Sequence, residues 1–139
     1  MKAVELAVRL AGLGQLALAA ASTAIPIVLR WRQETASLRP LLRQLFWIYA
    51  GYILGFHVAF GLLSLLAPGW LLDGSGLAAA VSGFIAAYWS VRLVLQFACL
   101  DRSDAPKGPW FSAAECALVT LFVFLSATYV SALVTNLSR

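Results

Sequence analysis

Among the residues that could do chemistry, two lie inside stretches otherwise built of apolar side chains. His57, the one histidine of the chain, sits in LFWIYAGYILGFHVAFGLLSLL, and Arg92 sits in the run from Leu77 to Leu100. An ionisable side chain in such a stretch points first to a functional site, because charge is costly to hold away from water. Around Arg92, Tyr88, Trp89, Gln96 and Cys99 fall at offsets of −4, −3, +4 and +7. On a helix these share one face with the arginine. The expectation is a polar stripe turned to the interior, with Arg92 hydrogen-bonded to groups on at least one other helix. Two uses fit it. Arg92, His57, Tyr88, Trp89 and Gln96 either satisfy one another as structural groups or line an anion-accepting pocket.

Other chemistry finds little support. There is no HExxH, GxSxG, Walker loop or Asp-rich metal pattern. One histidine cannot supply bis-histidine haem ligation, and the two cysteines, Cys99 and Cys116, are not spaced as a zinc pair. No cofactor, metal or catalytic residue is therefore assigned, and enzymatic activity is the less favoured reading.

Those residues need elements to carry them, and composition says what kind. Of 139 residues, 62% are apolar and 12% charged, against about 45–50% and 25% in soluble domains. Mean hydropathy is +0.87. Such a chain is expected to be an integral membrane protein with little mass outside the bilayer, not a soluble domain or a nucleic-acid binder. A span takes about 20 residues, so four nearly exhaust the length. They are placed at about 6–29, 44–66, 77–100 and 112–135. The expected fold is all-α: four transmembrane helices, packed as two helical hairpins in one bundle and forming a single domain over 1–139.

Several local signals refine this. Glu5 and Arg9 are spaced to pair on a helix face. Pro26 falls near the far end of the first span. Lys2 followed by Ala19-Ala20-Ala21 resembles a cleavable signal, but the apolar run continues to Leu29 and then meets Arg30 and Arg32, as a stop-transfer segment does. Gly51, Gly55 and Ala59, at steps of four, would let helix backbones approach closely. The contact is expected inside the bundle, with homodimerisation as the second reading. Ser112-x-x-Glu115 reads as a capping box opening the fourth span.

The loop charges set an orientation. Arg30, Arg32, Arg39, Arg43, Arg102 and Lys107 lie on one side, against Lys2, Arg9 and Arg139 on the other. The positive-inside rule then leaves both termini outside and the basic loops in the cytoplasm. A bacterial inner membrane suits so compact a chain. The leading function is a small non-enzymatic membrane subunit that packs against itself or a larger membrane protein. The alternative is a small transporter or ligand-binding protein using the pocket around Arg92 and His57.

Overall fold

A computed structural model describes residues 2–99 and 108–139. Within them the chain forms four long helices: α1 (Lys2–Ser22), α4 (Pro40–Leu66), α5 (Gly76–Ala98) and α6 (Pro109–Leu137). Two short helices, α2 (Ile25–Val28) and α3 (Trp31–Glu34), join α1 to α4 through a 3₁₀ turn at Thr35–Ser37. No strand occurs among the described residues. With α1 and α2 taken together, the four helical segments are each long and apolar enough to cross a membrane. The expected end of the third span at Leu100 lies outside the described residues, as do Arg102 and Lys107.

The breaks and starts follow from proline. Pro26 has no N–H to donate to the Ser22 carbonyl, and its ring would collide with that carbonyl. The α-helix accordingly stops at Ser22 instead of continuing to residue 29. The Ser22 and Thr23 hydroxyls bond back to the carbonyls of Ala19 and Ala20, at 2.8 and 2.7 Å. Pro40 and Pro109 each open a long helix, where a fixed φ and a missing donor cost least. This overturns the capping box: α6 begins three residues before Ser112. The Ser112 amide already bonds the Gly108 carbonyl at 3.1 Å, and among the described residues no side chain caps the helix. Glu115 lies in the second turn, too far along to serve that end.

Packing pairs α1 with α4 and α5 with α6, and α1 also lies against α6. Arg9 donates to the Leu65 carbonyl at 3.1 Å while Leu16 lies over Gly61, so α1 and α4 run antiparallel. Arg9 also pairs with Glu5 at 3.1 Å, as their spacing predicts. The closest approach is at Gly12, where an added Cβ would stand 2.8 Å from both the Gly61 carbonyl oxygen and the Leu65 nitrogen. Gly51 and Gly55 behave otherwise: a Cβ on either meets nothing within 4 Å. The small-residue stripe that the spacing assigned to the bundle interior faces outward instead, and Ala59 is exposed with it.

At one end of the bundle, the stretch from Pro68 to Ser75 is folded over the helix ends. Leu71 and Leu72 are buried. The Leu71 carbonyl accepts from Ser82 Oγ at 3.1 Å and Asn136 Nδ2 at 2.8 Å, and Arg139 donates to the Leu72 carbonyl at 2.9 Å. Asn136 Oδ1 takes the Gly74 amide at 3.1 Å. Gly74 needs its left-handed φ of 79° to present that amide.

Candidate functional site

The bundle centre carries a hydrogen-bonded chain with one member from each long helix. Gln15 of α1, Ser64 of α4, Trp89 of α5 and Tyr129 of α6 each have no solvent-exposed surface. Trp89 Nε1 bonds Gln15 Oε1 at 3.2 Å, Gln15 Nε2 bonds the Tyr129 hydroxyl, and that hydroxyl meets Ser64 Oγ. The direction is fixed by the donor inventory. An indole nitrogen only donates, so the amide oxygen of Gln15 faces Trp89 and its NH₂ faces Tyr129. The Tyr129 oxygen accepts there, which frees its own proton for Ser64. Each link satisfies a polar group that burial would otherwise leave unpaired.

A second group adjoins this chain through Trp89. His57 stacks on the Trp89 ring at 5.0 Å, and its Nε2 lies 3.0 Å from the Tyr88 hydroxyl. Trp89 also packs against Phe122 at 5.4 Å, and the Arg92 guanidinium sits 5.0 Å from the Phe122 centroid. His57 and Arg92 are thus linked through the aromatic rings of Trp89 and Phe122. Arg92 is half-buried and donates to Gln96 Oε1 at 3.1 Å, within its own helix. The sequence led us to expect a hydrogen bond from Arg92 to another helix. The contact that crosses to α6 is instead cation–π, with the guanidinium over the Phe122 ring.

Thus the structure gathers His57, Tyr88, Trp89, Arg92 and Gln96 around one aromatic layer. It does not bring in Gly51, Gly55 and Ala59, nor Ser112 and Glu115. Among the described residues, clefts open on the outside of the protein. One is lined by Ile48, Gly51, Tyr52, Gly55, Phe56 and Ala59, another by Arg32, Thr35, Arg43, Gln44, Trp47 and Ile48. Neither is lined by Arg92 or His57. No group of three metal-ligating side chains occurs among the described residues.

Sequence reasoning missed Gln15, Ser64, Tyr129 and Phe122. Gln15 had a signal, as an amide interrupting an apolar run. So did Tyr129, the one phenol of its helix. Ser64 and Phe122 had none, since serines and phenylalanines are scattered throughout the apolar segments.

The chemistry available here is modest. The hydrogen-bonded chain contains no carboxylate, no thiol and no charged side chain, and it ends on a hydroxyl. It ties four helices together, while His57 Nδ1 is buried without a partner. The four apolar helices suggest a small membrane protein. Compared with known proteins, the chain matches no family model, no curated protein and no solved structure.

Proposed function

We propose that this chain is an integral membrane protein of four spans forming one domain, and that it works as a non-enzymatic packing subunit. The observation that carries this is the inversion of its polarity. Leu6, Leu13, Ile53, Phe97, Val91 and Val134 are exposed, while Gln15, Ser64 and Ser82 have no exposure at all. In water that arrangement would expose a large apolar surface. In hydrocarbon it is favourable, because outward side chains meet lipid and interior polar groups need partners on other helices. The two antiparallel pairs, α1 with α4 and α5 with α6, are the proposed helical hairpins.

The interior polar residues act as structure under this reading. The Gln15–Ser64–Trp89–Tyr129 chain satisfies its own members, and the clefts on the outside lie elsewhere. The outward groove of α4 around Gly51, Gly55 and Ala59 is then free to take another helix. Its proposed occupant is α4 of a second copy, since two-fold self-packing sets the same small residues against one another. Loop charge orients the protein with both termini outside, in a bacterial-type inner membrane.

The test is extraction in gentle detergent, followed by native mass spectrometry. A dimer that Gly51→Leu disperses supports the reading. A monomer carrying a stoichiometric small anion, lost in Arg92→Leu, refutes it in favour of the binding-protein alternative. Reporter fusions at both termini and after Ser37 test the orientation, which cytoplasmic termini would overturn.

A further inference from the structure

We propose that the cleft between α3 and the start of α4 holds the phosphate of an anionic phospholipid headgroup, gripped by Arg32 and Arg43. This rests on the membrane reading above. The cleft has a volume of about 870 Å³ and is lined by Arg32, Thr35, Arg43, Gln44, Trp47 and Ile48. That is within the usual range of sites for small molecules, roughly 300–1,000 Å³.

The walls are set by a backbone turn and an aromatic contact. Arg30 adopts a left-handed backbone, φ 49° and ψ 41°, an uncommon conformation for a residue with a side chain. It turns the chain from α2 into α3. Trp31 then packs edge-on against Phe46 at 4.9 Å and Trp47 at 5.9 Å, which docks α3 on the first turns of α4. Thr35 is buried and bonds the Trp31 carbonyl at 2.6 Å, closing the far end of α3.

The charges inside this frame are unspent. Among the described residues neither Arg32 nor Arg43 makes a hydrogen bond or an ion pair. Glu34, the one carboxylate between residues 29 and 48, pairs with neither. Guanidinium matches phosphate oxygens in a two-pronged geometry that other cations lack. Gln44 adds an amide donor, and Trp47 adds the indole found where membrane meets water. Arginines beside apolar Ile48 and Trp47 suit a ligand with a charged head and an acyl tail. Free phosphate supplies the head alone.

The experiment is native mass spectrometry of lipid adducts on the detergent-solubilised protein, titrated with phosphatidylglycerol or phosphatidylcholine. Each cation near an anionic lipid is worth about fivefold in affinity. Arg32→Gln with Arg43→Gln should therefore weaken phosphatidylglycerol binding about 25-fold and leave phosphatidylcholine unchanged. Arg30→Gln with Arg39→Gln removes the same charge from outside the cleft lining and should retain most of the binding. Equal loss in both double variants would overturn the site in favour of general charge attraction. So would a wild-type protein that does not distinguish the two lipids. A thermal shift by millimolar inorganic phosphate, with no phosphatidylglycerol preference, would overturn the lipid as the source of the phosphate. Release of the protein from membranes by alkaline carbonate refutes the membrane reading itself, whatever the adducts show.

Discussion

Replacing Gly12 by alanine should separate α1 from α4, and the size of the effect follows from the contact. The new Cβ would lie 2.8 Å from the Gly61 carbonyl oxygen and from the Leu65 nitrogen, and 3.2 Å from Leu65 Cα. Ordinary contact begins at 3.4 Å, so the backbones must part by 0.6 Å, the difference of the two distances. The obstacles are backbone atoms of a helix, with no side-chain torsion to relieve them. Overpacking of this kind costs about 1–3 kcal/mol. Removing a glycine from a helix returns roughly 0.5–1 kcal/mol. The net expectation is destabilisation centred on about 1 kcal/mol and reaching about 2.5 kcal/mol. Gly51→Ala meets open space and keeps only the helix gain, so it should be neutral or stabilising. Gly61→Ala should fall between them, because its nearest obstacles are side-chain atoms, Leu16 Cγ at 2.8 Å and Cδ2 at 2.9 Å, and the one backbone atom, the Gly12 carbonyl oxygen, stands farther off at 3.2 Å. Reversible unfolding in mixed micelles, followed by far-ultraviolet circular dichroism, measures all three. If Gly12→Ala is as stable as wild type, or Gly51→Ala is equally damaged, the reasoning fails.

Tyr129→Phe leaves Gln15 Nε2 only the Ala11 carbonyl at 3.4 Å and deprives Ser64 of its partner; it should cost about 1–3 kcal/mol. Combined with Ser64→Ala in a double-mutant cycle, it should show a coupling of roughly 0.6 kcal/mol, as interhelical bonds in membranes do, and strict additivity would count against the network. Asn136→Ala should speed amide exchange at Gly74 and lower the unfolding midpoint, since both the Leu71 carbonyl and the Gly74 amide lose a partner; unchanged exchange would show that the cover does not depend on Asn136. Arg92→Leu should leave a folded protein within about 1 kcal/mol of wild type, because it strands no buried charge. Phe122→Ala, at a site 2% exposed, should cost about 3–5 kcal/mol, and the reverse order would make Arg92 the keystone.

Much of the architecture was legible in the residues. Four apolar runs fix four long helices, because a backbone in an apolar setting must satisfy its hydrogen bonds within the segment. Pro40 and Pro109 mark helix starts by local sterics, although Ser112 and Glu115 offered a rival start that the proline pre-empts. The common face of Tyr88, Trp89, Arg92 and Gln96 also follows from helical spacing alone. Tertiary structure decided which small residues meet. Gly51, Gly55 and Ala59 carry the stronger pattern, yet the close approach is at Gly12 and Gly61. Spacing is a property of one helix, whereas approach depends on the rotation of two. The same holds for the polar core. Gln15 and Tyr129 are 114 residues apart, and nothing local to either names the other. Only the packing of α1 against α6 joins amide to phenol, and only the packing of α4, α5 and α6 links His57 and Arg92 through the rings of Trp89 and Phe122.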